Sequence, residues 1–213
     1  MSLTQDLAKA KQAFIANTPL EIQAEMFRQI QEQQDSGIAY GRQEGQKAKD
    51  FTLKNALGET VNLFDELSKG PVVLTFYRGG WCPFCNTQLK SYEKILPEIE
   101  ALGGQLIAVS PQSPDNTLSQ QEKEALSFQV LSDTNGLVAA FYNILYDVPD
   151  YLQNIMKQVG MDLTEYNAMN SWVLPIPSTF MIDESGIIRS AYVNPDFMQR
   201  LDPEDILHEL RKL

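Results

Sequence analysis

The chain has 213 residues, 43% of them hydrophobic, enough to bury one good core, and one domain with a sizeable extension is the simplest organisation. Its 17 basic and 28 acidic residues give a net charge of −11, which repels phosphate backbones and anionic headgroups and argues against nucleic acid or a membrane surface as partner. No run approaches the roughly 18 apolar residues of a membrane span, and the start at Met1-Ser2-Leu3 lacks the basic and apolar regions of a signal peptide, so a cytoplasmic protein is expected.

Residues 1–34 predict an amphipathic helical arm broken at Thr18-Pro19. Leu3, Leu7, Ala10 and Phe14 recur at helical spacing before the break, and Ile22, Met26, Phe27 and Ile30 after it. Such a stripe either packs on the chain's own domain or contributes to a homodimer interface. Asp35 to Gly45 reads as a linker, which makes 1–46 an arm and linker and 47–213 the domain. Phe51-Thr52-Leu53 and Val61-Asn62-Leu63 flank a turn at 55–59 and predict a hairpin.

Pro71 to Phe76 has the β-branched and aromatic make-up of a buried strand, and the following helix carries Leu89, Tyr92, Ile95, Leu96 and Ile99 on one side. A second buried strand at 105–110, a polar helix at 116–125, a short strand at 128–131 and a helix at 137–142 follow. This alternation implies a parallel sheet covered on both faces. The apolar and aromatic stretch at 147–171, with Tyr151, Leu152, Ile155 and Met156, reads as a helical insertion, either packed on the domain or forming a lid beside the active site. Residues 177–183 and 186–193 predict an antiparallel pair of strands, and Asp202 or Pro203 starts a closing helix. The fold class expected is α/β, a central mixed sheet flanked by helices with an N-terminal helical extension.

The chemistry is concentrated in Tyr77-Arg78-Gly79-Gly80-Trp81-Cys82-Pro83-Phe84-Cys85, which holds both cysteines of the chain at a strand-to-helix junction. Two thiols within one turn at a helix start form and release an intramolecular disulfide readily, and the helix terminus favours thiolate over thiol. Zinc would need four ligands, whereas the chain offers these two cysteines and one distant histidine, His208, so no metal is expected. A disulfide closing so short a loop adds little stability, which argues against a structural bridge. Nucleotide-binding glycine motifs and hydrolase motifs are absent, so no cofactor is expected and the reaction rests on sulfur.

A dithiol after the first core strand matches the thioredoxin fold, and the chain resembles the peroxiredoxin (AhpC/TSA) superfamily, in particular its members with a Cys-x-x-Cys active site. The resemblance covers Lys47 to Leu213 through Asp50-Phe51-Thr52-Leu53, the dithiol segment, the Ser178-Thr179-Phe180 strand and its Gly186-Ile187-Ile188-Arg189 partner. It implies a thiol-dependent peroxidase that reduces hydrogen peroxide or organic hydroperoxides, with a Cys82–Cys85 redox disulfide returned to dithiol by a thioredoxin-like reductant. Aligned through Phe76-Tyr77, the family's Pro-x-x-x-Thr-x-x-Cys segment puts Cys85 at the peroxidatic cysteine, Cys82 at the threonine and Arg78 at the proline. Thioredoxin logic would instead make Cys82 the first nucleophile.

Where the family arginine is expected, just before Ser178, this chain has Pro177, so by this alignment the activating threonine and arginine are both missing. Pro177 resembles the cis-proline of thioredoxins that lies against the dithiol, the alternative being a trans proline opening an edge strand. Arg78 either stabilises a thiolate or is a solvated strand-end charge, and Trp81 either shields the site or fills the core. Thr179 and Pro83 complete the expected site. The rival activities are a thiol–disulfide oxidoreductase acting on protein disulfides and a redox-sensing interaction protein.

Overall fold

Ser2 accepts a hydrogen bond from the Gln5 N–H and Gln5 reaches back to the Ser2 N–H, a capping box that starts α1 (Leu3–Asn17). The computed structural model describes residues 2–37 and 40–213, so Met1 and the linker residues Ile38 and Ala39 lie outside the described residues. Thr18-Pro19 breaks the arm as predicted, and α2 (Leu20–Ser36) follows, ending at Gly37 with φ +67°.

The hairpin forms as β1 (Thr52–Asn55) and β2 (Thr60–Asn62), with Leu53 opposite Val61. Asn55 Oδ1 accepts from the N–H groups of Leu57 and Glu59, both at 3.0 Å, which folds the turn from a single side chain. Next come α3 (Leu63–Leu67), β3 (Val72–Phe76), α4 (Pro83–Ala101), β4 (Gln105–Ser110), α5 (Pro114–Glu124), β5 (Gln129–Ser132) and α6 (Leu137–Phe141). The region read as an insertion holds α7 (Asp150–Gln158) and α8 (Leu163–Tyr166), and a short antiparallel pair brackets it, β6 (Leu145–Asp147) with β7 (Val173–Pro175). That pair is too short to show an alternation in the sequence. The chain closes with β8 (Ser178–Ile182), β9 (Ile188–Val193) and α9 (Pro203–Leu210).

The main sheet has seven strands in the order β2-β1-β5-β4-β3-β8-β9. β3, β4 and β5 are parallel, while β8 and β9 add the expected antiparallel pair, and β1 joins β5 antiparallel. The sheet is therefore mixed, flanked by helices on both faces.

Side chains of β3 alternate between two cores, as the period of a strand requires. Val72, Leu74 and Phe76 join Tyr142 and Phe180 on one face, and Val73 joins Leu89, Tyr92 and both cysteines on the other. The arm belongs to this second core: Leu3, Leu7 and Ile30 are buried in it. Its apolar stripe packs on the chain's own domain, mainly through α1 against α4. Truncating Leu7, which is 6% exposed, removes packing that a surface arm would not have, so Leu7→Ala should lower unfolding stability by about 2–4 kcal/mol, read as a shift in urea midpoint at constant slope. No helix among the described residues is long and apolar enough to cross a membrane.

Candidate active site

β3 ends at Phe76, and Tyr77 to Trp81 loop over the edge of the sheet before α4 begins. Gly79 adopts φ +145°, and a Cβ there would lie 2.5 Å from Trp81 Nε1, so only glycine permits this path. The Cys82 N–H donates to the Gly79 carbonyl at 3.1 Å, which closes the turn and leaves Cys82 as the N-cap of α4. Pro83 occupies the first helical position, where its fixed φ suits the helix and its missing N–H is no loss. Cys85 follows within the same turn.

A ring of side-chain amides holds the loop from behind. Gly80 N–H donates to Gln112 Oε1 at 2.9 Å, and Asn86 Nδ2 donates to the Gly80 carbonyl at 2.7 Å. Gln120 connects them, donating to Asn86 Oδ1 at 2.7 Å and accepting from Gln112 Nε2 and the Tyr77 hydroxyl, both at 2.8 Å. The loop is thus pinned at both its N–H and its carbonyl.

Both cysteines are reduced and fully buried, and each sulfur faces a guanidinium. Arg78 Nη2 is 3.2 Å from Cys82 Sγ, and Arg200 Nη2 is 3.3 Å from Cys85 Sγ. Arg78 is sandwiched by aromatic rings, its guanidinium carbon 3.9 Å from the Phe197 centroid and 5.1 Å from that of Trp81. Arg200 is held by Gln88, whose Oε1 accepts from its Nε at 2.6 Å, and by the carbonyls of Phe197 and Gln199. Gln88 is itself fixed by donating to Thr75 Oγ1 at 3.1 Å, and Thr75 lies 3.1 Å from Thr179 Oγ1. Thr179 is thus linked to Cys85 through Thr75, Gln88 and Arg200, and its Oγ1 also lies 3.5 Å from the Tyr92 hydroxyl.

Two buried guanidiniums with no carboxylate within 4.0 Å, among the described residues, require negative charge from elsewhere, and the sulfurs are the groups in contact. Burial opposes ionisation of Cys82, yet a hydrogen bond from the Cys85 thiol and the charges of Arg78 and Arg200 hold it well below the ordinary thiol range. Burial pushes the Cys85 thiol up, and the adjacent Cys82 sulfur pushes it further. The two thiols titrate as a pair, with Cys82 drawn down and Cys85 pushed up. Arg200 has three other acceptors, whereas Arg78 lies on Cys82 with the Tyr146 phenol as a further partner, and its Nε is unpaired among the described residues. That difference favours the negative charge on Cys82.

The structure brings together Cys82, Cys85, Arg78, Trp81 and Pro83, with Trp81 half-buried beside the thiols. It does not bring Pro177 to them in the manner of a cis-proline. The described residues contain no cis peptide bond, the Pro177 carbonyl accepts from Asn194 N–H at 3.4 Å, and β8 lies inside the sheet rather than at its edge. Nor is Arg78 a solvated charge, being 6% exposed. The guanidinium that seemed lost just before Ser178 is present, supplied by Arg200 after β9. Gln88 was the detectable hint, a polar residue within the apolar stripe of α4; Arg200 and Phe197 carry no such mark.

The AhpC/TSA family model matches residues 44–191. The "Thioredoxin-like protein YneN" of Bacillus subtilis is 30% identical over 167 residues, covering 76% of this chain and 81% of that protein. "Peroxiredoxin Bcp" of the same organism is 31% identical over 142 residues, covering 67% and 79%. The crystal structure of the peroxidoxin BcpB from Mycobacterium tuberculosis superposes with a TM-score of 0.63 at 21% identity, over 80% of this chain and 97% of that one. At that identity it supports the fold alone. With a family match over most of its length, a thioredoxin-like sheet and a thiol pair at the start of the helix that follows β3, the chain belongs to the AhpC/TSA family.

Proposed function

We propose that the protein is a thiol-dependent peroxidase in which Cys82 attacks the peroxide and Cys85 resolves it. The observation that carries this reading is the pair of buried guanidiniums, each on a sulfur and neither paired with a carboxylate. They stabilise a thiolate in the resting enzyme and can follow the charge as it moves onto oxygen. The Cys82 thiolate attacks the terminal oxygen of R–O–O–H, so that an S–O bond forms, the O–O bond breaks and Cys82 becomes sulfenic acid. The alkoxide takes a proton and leaves as R–OH. The Cys85 sulfur then displaces hydroxide from the sulfenic acid, giving the Cys82–Cys85 disulfide and water. A thioredoxin-like dithiol returns the pair to the reduced state by two exchange steps and is itself oxidised. The resemblance to proteins named peroxiredoxin supports both the substrate class and the reductant.

This assignment of the nucleophile departs from the alignment through Phe76-Tyr77, which favours Cys85. It rests on the depressed pKa of Cys82 and on the contact of Arg78 with its sulfur, Arg200 being shared among three other acceptors. The division into an arm at 1–46 and a domain at 47–213 is part of the same reading, supported by a family match that starts at residue 44. So is a cytoplasmic location, where the dithiol would be kept reduced between turnovers. A homodimer would use the arm residues still exposed, Ile15, Leu20 and Phe27.

Stopped-flow oxidation of the reduced protein tests the reading. Hydrogen peroxide or cumene hydroperoxide should oxidise it far faster than free cysteine at the same pH, with loss of two hydrogens from the intact mass. A rate equal to that of free cysteine would remove it. Thiol–disulfide exchange is the second reading, favoured by the Cys-x-x-Cys spacing and the likeness to a protein named thioredoxin-like. Rapid reduction of insulin disulfides together with slow peroxide oxidation would select it.

A further inference from the structure

The sulfurs are fully buried, so a peroxide has to approach through a wall of the site. One wall contains a cleft of about 340 Å³ between α2 and the β6–β7 pair, within the size range of small-molecule sites. Leu145 and Ile176 give it an apolar lining, and Glu32 and Asp147 stand on its border. Tyr146 is shared between cleft and active site: it lines the cleft, and it packs with Trp81 and Met26 in the small core under α7. Its phenol also lies close enough to Arg78 and Cys82 for their charges to act on it.

Gln29, from α2, lines the same cleft. It is 3% exposed, and its Nε2 has no hydrogen-bond acceptor. A buried amide N–H₂ without an acceptor is unfavourable by about 1–3 kcal/mol, and such groups in native structures call for an explanation. An acceptor oxygen on a bound ligand supplies one. The two carboxylates at the border disfavour an anionic ligand, and the apolar lining suits a hydrocarbon group.

We propose that this cleft binds the organic group of a neutral hydroperoxide, with Leu145 and Ile176 against the hydrocarbon and Gln29 donating to an oxygen of the ligand. The terminal peroxide oxygen then faces Tyr146, Arg78 and Cys82. The inference rests on the peroxidase reading and deepens it. It also assigns α2 a role that the family match does not cover, because that match begins at residue 44. Gln29 is a specificity-determining residue in this scheme, selecting a compact organic hydroperoxide over hydrogen peroxide, which has no organic group to fill the cleft.

The test compares cumene hydroperoxide with hydrogen peroxide in stopped-flow oxidation of wild type, Gln29→Leu and Leu145→Trp. The first variant removes the donor at similar size, and the second fills the cleft. In both, the ratio of the cumene hydroperoxide rate constant to that of hydrogen peroxide should fall by about tenfold or more, the factor expected from one lost ligand hydrogen bond. A ratio within threefold of wild type in both variants overturns the proposal, as does a uniform loss with both peroxides. Binding is read separately and without any variant, by titrating the unreactive product 2-phenyl-2-propanol into the reduced protein and following the Gln29 side-chain amide by NMR. A saturating shift there supports the site, while shifts confined to other regions overturn it. If the alcohol binds at Gln29 but neither peroxide oxidises the protein faster than free cysteine, the peroxidase reading fails and the cleft stands as an organic-ligand site.

Discussion

Cys82→Ser should abolish rapid peroxide oxidation, lowering its rate constant on the order of 10³-fold or more, as removal of a nucleophile does in enzymes generally. The prediction follows from the Arg78 contact: with Cys82 gone, Arg78 loses its sulfur partner, and the remaining sulfur is the one whose pKa burial pushes up. Cys85→Ser should behave differently. Its Cys82 thiolate keeps the Arg78 contact, so hydrogen peroxide should still produce a sulfenic acid, trappable with dimedone and visible by mass spectrometry. What this variant loses is the intramolecular disulfide and with it turnover by a dithiol reductant. If dimedone instead labels Cys82→Ser and leaves Cys85→Ser unmodified, Cys85 is the nucleophile and the alignment through Phe76-Tyr77 governs the roles.

Arg78→Met should slow peroxide oxidation by about 30-fold or more at neutral pH. Loss of one preorganised donor at a developing charge costs roughly 2–4 kcal/mol of transition-state stabilisation, and each 1.36 kcal/mol is about tenfold. Methionine keeps aliphatic bulk in the site and removes the guanidinium that stacks on Phe197 and Trp81 together with its charge. The same substitution should move the thiolate titration, followed by absorbance at 240 nm. In the wild type the folded Cys82 pKa is depressed, so the thiolate persists as pH falls below the ordinary thiol value of about 8.5. The stabilisation it gives the fold is fully present above that value and is lost as pH falls through the folded pKa. Without Arg78 the titration should shift upward and the rate should become steeply pH-dependent around neutrality. An unchanged titration with a rate within threefold of wild type would mean that Arg200 and the Cys85 thiol suffice to hold the charge.

The sequence by itself determined the parts whose causes are local. A break at Pro19, a hairpin turned by Asn55, a buried strand leading into a helix capped by Cys82 and Pro83, and the closing α9 are set by neighbours a few residues apart. Hydrophobic period, proline geometry and capping act at that range. The dithiol was legible for the same reason, because its chemistry depends on a spacing within one helical turn.

Only the tertiary structure decided what surrounds the sulfurs. Arg200 lies 115 positions from Cys85 along the chain, and Gln88, which holds it, 112 positions from Arg200. A single arginine before a helix has no periodicity to reveal it; its function appears only once β8 and β9 carry the chain back to α4. Pro177 looked like a thioredoxin cis-proline because its neighbours in sequence match, yet the geometry of a peptide bond before proline is chosen by packing, since the two isomers differ intrinsically by about 0.5–1 kcal/mol. The arm shows the same limit. Its apolar stripe announced that Leu3, Leu7 and Ile30 must be covered, but an amphipathic pattern is indifferent to what covers it. The fold answered with the face of α4, and so set α2 and Gln29 on the same cleft as Tyr146.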